Sequence, residues 1–133
     1  INQKTSFAFG SRIKKIDNNI DRKLYRHLIG RVIATFISSA LALSVYDTQC
    51  GCKVFSKSVA ELVFKDAFLS KWLFDVEIFF RFKKTHPIEY VRETTKEIPL
   101  QNWIDKSGSK LRLSYALQVW YDLFKIKRYY SNS

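Results

Sequence analysis

Asp47-Thr48-Gln49-Cys50-Gly51-Cys52-Lys53 is a polar heptapeptide that lies between two apolar segments and is followed at once by Val54 and Phe55. The preceding segment, Val32 to Tyr46, is apolar and uncharged, and helical spacing resumes from Ser56 to Phe68. Junctions where a helix gives way to a strand commonly carry binding residues. Asp, Thr and Gly are also ordinary turn residues, so the local composition on its own favours a turn. The heptapeptide is the reference point for the rest of the chain.

The composition describes a packed globular chain with a strong positive charge. Of the 133 residues, 47% are hydrophobic and 16% aromatic, which excludes general disorder. The 23 basic and 12 acidic residues leave a net charge of +11, which predicts attraction to nucleic acid, anionic lipid or phosphorylated small molecules. The longest apolar run is shorter than the roughly twenty residues that cross a bilayer. The chain also begins without the apolar region of a signal peptide.

The cysteine, histidine and methionine content adds three expectations. Cys50 and Cys52 flank a single glycine, too close for a normal structural disulfide, which indicates a reducing compartment. Cys-x-Cys without a second cysteine pair, and His27 and His86 at unrelated spacings, predict no metal site. The chain begins Ile1-Asn2-Gln3 and contains no methionine, so we expect it to be a piece of a longer polypeptide.

Upstream of the heptapeptide, the pattern predicts one strand and one long helix. Thr5 to Phe9 alternates weakly, as in a short strand that ends at a Gly10-Ser11-Arg12 turn. Ile13 to Arg26 is polar and charged, with Asp17-Asn18-Asn19 as a loop or helix-cap region, and its basic residues are predicted to form a solvated face. From Leu24 to Val45, apolar residues recur at helical spacing and predict a long, largely buried helix. Arg31 lies in that helix, where it either extends to the helix edge or faces an anion.

Downstream, the pattern continues with a strand and two helices. Lys53 to Phe55 is short and apolar enough for a strand. Ser56 is a typical N-cap for a helix that reaches Lys65. An aromatic loop then leads to Asp75, which opens a helix to about Lys84, and acidic residues in its first turn suit the helix dipole.

The last third of the sequence predicts a strand and a second long helix. Alternation from Ile88 to Glu97, after the break at Pro87, leads into Ile98-Pro99-Leu100 and predicts one strand, or two strands joined by a bend. Asp105 to Ser109 is a polar loop, and Leu111 to Tyr129 has the spacing of a helix. The order of elements indicates a mixed α/β domain, and no Gly-rich phosphate loop of the Walker or Rossmann type occurs. The apolar stripe of the terminal helix comprises Leu113, Leu117, Trp120 and Phe124.

Six short motifs resemble the C-terminal half of family 2 glycosyltransferases, in the branch of dolichyl-phosphate and polyprenyl-phosphate glucosyltransferases. Each motif alone is weak, but together they follow the family's order and spacing over nearly the whole chain. At Cys52 the chain departs from the aromatic residue that the family usually carries. The motifs are Gly10-Ser11-Arg12, Arg31, Asp47 to Gly51 with Lys53, Phe74 to Glu77, Glu97-Ile98-Pro99 with Trp103, and Gly108-Ser109-Lys110.

The resemblance implies an α/β fold of the GT-A class, the fold of nucleotide-diphospho-sugar transferases. Residues 1–133 would form its acceptor-side portion, with 109–130 as a C-terminal amphipathic helix. In this family the N-terminal half binds the nucleotide-sugar and holds a divalent cation, Mg or Mn, through an Asp-x-Asp motif. No Asp-x-Asp occurs in this sequence, so we expect the fold to be incomplete without that half and this chain alone to be inactive.

The resemblance also implies a reaction, in which a hexose, with glucose as the first expectation, moves from a nucleotide-sugar such as UDP-glucose to a polyprenyl or dolichyl phosphate. Because that acceptor is already anionic, charges that seat its phosphate matter more than a general base. Arg12, Arg31 and Lys110 are the candidates for this seat, with Ser109 as a hydrogen-bond donor. The alternative enzyme is a family 2 transferase that acts on a hydroxyl acceptor in polysaccharide synthesis, with Asp75 as its catalytic base.

Further residues are expected to line the active site. Lys53 is either a floor to the pocket or a partner for Asp47. Asp75 is a base, a positioning residue or only the first-turn acid of its helix, and Glu77 could equally pair with a neighbouring Lys or Arg. The active-site lining candidates are Asp47, Gln49, Gly51, Lys53, Glu77 and Trp103.

The terminal helix predicts a second surface, because it combines cations with aromatic residues as membrane-surface helices do. This predicts a peripheral protein on the cytoplasmic side of a membrane, beside a lipid-borne acceptor. An ordinary amphipathic core helix with a basic outer face is an equal alternative. A nucleic-acid-binding module is the alternative from another class, which the dispersed basic residues disfavour. The residues of the terminal-helix surface are Lys110, Arg112, Lys125, Lys127, Arg128, Trp120, Tyr121, Phe124, Tyr129 and Tyr130.

Sheet edges left open by the missing half favour a homodimer or a domain swap.

Overall fold

The computed structural model describes residues 4–13, 19–21, 24–104 and 113–131 of the chain. Within them, strands and helices form a small mixed α/β structure, as the order of sequence patterns predicts. The strands are β1 (Phe7–Ser11), β2 (Asn19–Asp21), β3 (Lys53–Phe55), β4 (Thr95–Pro99) and β5 (Asn102–Ile104). The helices are α1 (Leu24–Leu41), α2 (Lys57–Val63), α3 (Phe74–Thr85), α4 (Ile88–Thr94) and α5 (Leu113–Ser131).

The larger sheet of the described structure has three strands in the order β3-β1-β4. β1 is antiparallel to β3, with Phe7 opposite Phe55, and parallel to β4, with Phe9 opposite Glu97. β2 and β5 form a separate parallel pair that the sequence pattern did not predict. Because β1 is the central strand, residues at its end lie between the segment that precedes β3 and the segment that follows β4.

β1 is shifted by two residues toward the C-terminus relative to the prediction. The expected strand at Thr5 to Phe9 runs instead from Phe7 to Ser11, so Gly10 and Ser11 are strand residues and the predicted turn is wrong. Arg12 follows the strand end, as expected. A Cβ at Gly10 would lie 3.0 Å from Leu100 Cδ2, so the missing side chain lets the segment after β4 pack closely against β1.

The core is built between the sheet and α3. Phe7 and Phe9 on β1 contact Phe79 on α3, with ring centroids 5.0 and 5.3 Å apart. α3 is buried from Asp75 to Phe82, as expected for a central helix that is covered on all sides. Other buried members of the core are Ile37, Leu41, Val59, Val63, Leu73, Val76, Val91, Val119, Leu123 and Ile126.

α1 ends before the predicted boundary. The helix expected from Leu24 to Val45 stops at Leu41, because Ala42 adopts a left-handed φ of 51°. Lys83 donates to the carbonyl of Leu41, and Arg92 Nη2 donates to the carbonyl of Ala42 at 3.0 Å. Cations suit the negative end of a helix dipole. Burial, followed by repulsion from Arg92, lowers the pKa of Lys83.

α1 also buries less of its surface than predicted. Ile37 and Leu41 are buried and Ile33 is partly buried, so one stripe faces the core as expected. Val32 and Phe36, which belong to the same apolar pattern, are 55% and 45% exposed. The apolar side of α1 is wider than the part that the described core covers. The prediction of a largely buried helix is therefore wrong for the side that carries Val32 and Phe36.

The elements just after the heptapeptide agree with the sequence. β3 occupies Lys53–Phe55 as predicted. Ser56 is the N-cap of α2, and its Oγ accepts the backbone N–H of Val59 at 3.4 Å. α2 ends at Val63, slightly before the predicted Lys65.

The predicted strand at Ile88 to Glu97 is wrong over its first part. Ile88–Thr94 forms helix α4 directly after Pro87, and only Thr95–Pro99 is a strand. Ile88 and Val91, three residues apart, pack on the core, so the burial follows helical spacing instead of alternation.

α5 leaves exposed the described residues of the apolar stripe that the sequence shows. Leu117, Trp120 and Phe124 are exposed, by 73%, 40% and 64%, whereas the buried positions are Val119, Asp122, Leu123 and Ile126. The buried Asp122 carboxylate accepts the Ser70 hydroxyl at 2.6 Å, which fixes this face toward the loop before α3. None of the helices in the described ranges is long and apolar enough to cross a membrane.

Candidate active site

Asp47 anchors the beginning of the heptapeptide to the end of β1. Its Oδ2 accepts Arg12 Nε at 2.6 Å and the Arg12 backbone N at 3.0 Å, and its Oδ1 accepts Arg12 Nη2 at 2.7 Å. A planar guanidinium matches a carboxylate in this two-pronged geometry. Asp47 is only 9% exposed, so this ion pair is largely shielded from water.

Glu97 on β4 holds the same end of the loop from the other side. Its Oε2 accepts the backbone N–H of Tyr46 and its Oε1 accepts that of Asp47, both at 2.8 Å. The carboxylate thus satisfies two successive backbone donors in a segment without secondary structure.

Lys53 anchors the end of the heptapeptide to α3. Its Nζ lies 2.6 Å from Asp75 Oδ1 and donates to the carbonyl of Cys50 at 2.5 Å. The two side chains are 6% and 11% exposed. The expectation that Lys53 pairs with Asp47 is wrong, because β3 directs it toward α3 while Arg12 takes Asp47.

A cleft of about 60 Å³ lies between α1 and the heptapeptide, with room for a few water molecules or one small polar group. The Arg31 guanidinium lies 4.2 Å above the centre of the Tyr46 ring, and Arg12 lies 5.3 Å from the centre of the Trp103 ring. Arg31 is exposed, and this ring contact is its only recorded side-chain interaction in the part of the chain that the structure describes. The lining residues are Arg12, Gly30, Arg31, Ile33, Ala34, Ile37, Tyr46, Asp47, Thr48 and Gln49.

The structure therefore brings together a part of the predicted site. Arg12, Arg31, Asp47 and Gln49 line one cleft, and Trp103 lies beside Arg12. Gly51 is exposed, and a Cβ there would meet nothing within 4 Å, so the described structure itself does not require a glycine. Two further predicted phosphate-binding residues, Ser109 and Lys110, lie outside the described residues.

Glu77 belongs to a different cluster and does not line this cleft. It is fully buried, and its Oε1 accepts Arg81 Nη2 at 2.9 Å and the Tyr130 hydroxyl at 2.8 Å. Its Oε2 accepts the backbone N–H of Leu69 at 2.8 Å. The expected pairing of Glu77 with a neighbouring cation is confirmed.

Arg81 is the centre of that second cluster and uses all five of its side-chain N–H donors. Nε donates to the Tyr130 hydroxyl, and Nη2 donates to Glu77 and to the carbonyl of Ala67. Nη1 donates to two further carbonyls, those of Val63 and Asp66. Burial opposes the charge, but the hydrogen bonds with Tyr130 and Glu77 outweigh it and raise the pKa of Arg81. Burial and the hydrogen bond to Glu77 raise the pKa of Tyr130 to about 12.

Sequence reasoning missed the roles of Glu97 and Tyr46. Glu97 falls in a motif, but its contacts with Tyr46 and Asp47 join residues about fifty positions apart, which no local pattern reveals. An aromatic residue directly before Asp47 and an arginine in the preceding helix were the available signals for the Tyr46 contact with Arg31.

The described residues do not fit the divalent cation that the resemblance implies. Across 4–13, 19–21, 24–104 and 113–131, no three His, Cys, Asp or Glu side chains come together in a way that could hold a metal ion. The acidic residues near the cleft are instead committed to Arg12, to Lys53 and to backbone donors. No chemical step is therefore assigned to a metal in this chain.

Comparison with known proteins shows distant homology between this chain and one part of family 2 glycosyltransferases. The particular relatives are dolichyl-phosphate beta-glucosyltransferases. The protein from Dictyostelium discoideum is 30% identical over 122 residues, which cover 89% of this chain and 35% of that protein. The protein from Saccharomyces cerevisiae is 30% identical over 131 residues, 96% of this chain and 37% of that protein. The human protein is 28% identical over 127 residues, 94% of this chain and 37% of that protein.

The chain thus spans little more than a third of the length of the relatives it matches. No family model matches the chain. No solved structure matches it either. The resemblance noted from the motifs is confirmed as a distant and partial homology.

Proposed function

We propose that this chain is the acceptor-side portion of a glycosyltransferase. The full enzyme would move a hexose from a nucleotide-sugar to a polyprenyl or dolichyl phosphate, with glucose as the hexose and UDP-glucose as the donor. The names of the relatives support the reaction, and the cleft with Arg12 and Arg31 supports the acceptor class. The observation that carries the proposal is Arg31, an exposed arginine at the cleft whose guanidinium covers the ring of Tyr46.

The residues of the cleft suit an anionic nucleophile. In the proposed reaction, a phosphate oxygen of the acceptor forms a bond to the anomeric carbon as the bond from that carbon to the nucleotide diphosphate breaks. The acceptor phosphate has already lost its proton at neutral pH, so the enzyme must hold and orient it. Arg31 supplies donors and positive charge at the cleft, while Arg12 is held in place by Asp47 and contributes to the same wall.

The contacts of Asp75 favour a phosphate acceptor over a hydroxyl acceptor. A hydroxyl acceptor needs a general base within hydrogen-bond reach of its proton. The Asp75 side chain is largely buried and its Oδ1 is bound to Lys53 Nζ, so it is placed to hold the end of the heptapeptide. Asp75 is therefore assigned a positioning role in this proposal.

A transfer assay tests the proposal. The natural polypeptide that contains this chain is supplied with radiolabelled UDP-glucose and either dolichyl phosphate or dolichol, which differ only in the phosphate. We expect label on dolichyl phosphate alone, and a large loss of transfer in Arg31→Ala. Transfer to dolichol, or an unchanged rate in Arg31→Ala, would contradict the assigned acceptor class and cleft.

We also propose that α5 lies on an anionic membrane surface on the cytoplasmic side, which would bring the cleft to a lipid-borne acceptor. Leu117, Tyr121 and Phe124 are between 64% and 73% exposed, and Phe36 of α1 extends this apolar face by contact with Trp120 at 4.1 Å between ring centres. Such exposed apolar residues beside cations suit a membrane interface. The exposed cations of the helix are Lys125, Lys127 and Arg128.

Vesicle binding separates the membrane from nucleic acid. We expect the protein to sediment with phosphatidylserine-containing vesicles, to leave them at high salt, and to lose affinity in Phe124→Ser. Strong binding to single-stranded DNA without vesicle affinity would instead favour the nucleic-acid-binding alternative.

A further inference from the structure

Glu97 is the link between the sheet and the two cations of the cleft. It lies on β4 opposite Phe9 of the central strand, so its backbone is fixed by the sheet ladder. Both of its carboxylate oxygens are used, one by the N–H of Tyr46 and one by the N–H of Asp47. Backbone donors in a segment without secondary structure need such a partner when they are shielded from water. Glu97 thus attaches the loop to the sheet at these two residues.

These two residues are also the ones whose side chains hold the cations. The Tyr46 ring lies under Arg31, and the Asp47 carboxylate binds Arg12 at three donors. A rotation or shift of this dipeptide would move both arginines relative to each other. Glu97 itself has no recorded contact with either arginine side chain in the described residues.

We infer that Glu97 is a positioning residue for the acceptor phosphate, acting through the backbone of Tyr46 and Asp47 to set the spacing of Arg31 and Arg12. This inference rests on the proposed function of the cleft. Bidentate recognition of a phosphate depends on the placement of its donors, and a displacement of about 1 Å is enough to weaken catalysis strongly. The expected consequence of losing Glu97 is therefore weaker use of the acceptor.

Glu97→Gln is the informative substitution, because it keeps the size of the side chain. An amide offers one oxygen and one NH₂ group, so one of the two backbone donors would face another donor. Glu93→Gln on α4 is the matched control, since Glu93 is exposed and undergoes the same chemical change.

The first measurement needs no substrate. Amide hydrogen exchange of the chain, followed by NMR, is expected to show about tenfold faster exchange at Tyr46 or Asp47 in Glu97→Gln. Exchange at the β1 amides is expected to stay unchanged, as it is throughout in Glu93→Gln. Unchanged protection at both loop amides would overturn the inference.

The second measurement uses the natural polypeptide that contains the chain. Glu97→Gln is expected to raise the KM for dolichyl phosphate about tenfold and to leave the KM for UDP-glucose unchanged. In the double variant with Arg31→Ala, the KM for dolichyl phosphate should rise by clearly less than the product of the two single effects. Independent effects, or equal effects on both substrates, would show a merely structural role and overturn the inference.

The two failures are distinguishable. If Arg31→Ala raises the KM for dolichyl phosphate and Glu97→Gln does not, the inference fails and the proposed function stands. If neither variant changes that KM although Glu97→Gln releases the loop amides, the proposed function of the cleft fails, and the inference fails with it.

Discussion

Arg81 on α3 and Arg31 on α1 carry the same guanidinium group but have different roles. Arg81 is buried and uses all five side-chain donors within the protein, on Glu77, Tyr130 and three backbone carbonyls. Arg31, on α1, is exposed at the cleft, and its guanidinium covers the ring of Tyr46 without a recorded hydrogen bond among the described residues. A saturated arginine holds loops together, whereas an arginine with donors to spare can bind an anion.

The geometry of α3 separates its two acidic side chains. Asp75 and Glu77 are two residues apart, and successive helix positions differ by about 100°, so their side chains point to nearly opposite sides. Asp75 forms an ion pair with Lys53 at the end of the heptapeptide. Glu77 forms an ion pair with Arg81, which also contacts Tyr130 in the C-terminal part of α5. Two neighbouring acids in the sequence thus serve two separate clusters.

The largest effect is expected from Arg81→Met. This change leaves Glu77 buried without its cation and leaves three carbonyls without a donor, so the free energy of unfolding should fall by about 3–5 kcal/mol. Urea denaturation of the chain measures it. Lys125→Met on α5 is the control, because Lys125 is exposed and its replacement should cost less than about 0.5 kcal/mol. A loss below about 1 kcal/mol in Arg81→Met would show that the cluster is not a structural centre.

A smaller loss is expected from Asp75→Asn, on the other side of α3. The amide oxygen can still accept from Lys53, but the charge attraction is lost, so we expect a cost of about 1–3 kcal/mol. The rate of transfer to dolichyl phosphate by the natural polypeptide should stay near normal at a temperature where the variant is folded. A collapse of kcat with an intact fold would restore Asp75 as a base.

Replacing Gly10, on β1 beside the heptapeptide, and Gly51, within it, should affect stability differently. A Cβ at Gly10 would lie 3.0 Å from Leu100 Cδ2 and 3.1 Å from Cys50 Sγ, so Gly10→Ala should lower the melting temperature, with a cost of about 1 kcal/mol. Gly51→Ala meets open space and should leave the melting temperature unchanged. If Gly51 lines the active site, Gly51→Ala should still reduce transfer. Equal stability losses in both variants would contradict the described packing.

Tyr130→Phe should have a modest effect that depends on pH. Removing the hydroxyl leaves Arg81 Nε without an acceptor, for a cost of about 1 kcal/mol at pH 7. The pKa of Tyr130 is raised to about 12 in the folded protein, against about 10 in the unfolded chain. The unfolded state therefore loses its proton first, and the stabilising contribution present below pH 10 disappears as the pH rises through 12. Stability should fall more steeply over that range in the wild type than in Tyr130→Phe, and parallel curves would contradict the raised pKa.

Local patterns predicted the elements that local chemistry decides. Ser56 capped α2 as expected, and β3 and α3 lie where the pattern placed them. The motifs also identified the distant relatives correctly. The segment from Ile88 failed because a short amphipathic stretch satisfies strand and helix spacing alike, and packing of Val91 on the core decides between them.

Contacts between distant segments could not be predicted. The buried face of α5 depends on Asp122 meeting Ser70, and the partner of Asp47 depends on β1 delivering Arg12 beside it. The sequence also placed Glu77 among the candidates for the site, because the helical pattern shows that Asp75 and Glu77 face opposite sides of α3 but not which elements pack against each side. Tertiary packing supplies that information.

The central claim is that the cleft beside the heptapeptide seats the phosphate of a lipid acceptor. Calorimetric titration with citronellyl phosphate, a short isoprenyl phosphate, tests it directly in the natural polypeptide that contains the chain. We expect Arg31→Ala to weaken binding at least about tenfold, as loss of a charge-assisted contact does. Arg128→Ala, which removes the same charge from the exposed surface of α5, should have little effect. Equal affinities of the wild type and Arg31→Ala, or an equal loss in both variants, would contradict the claim.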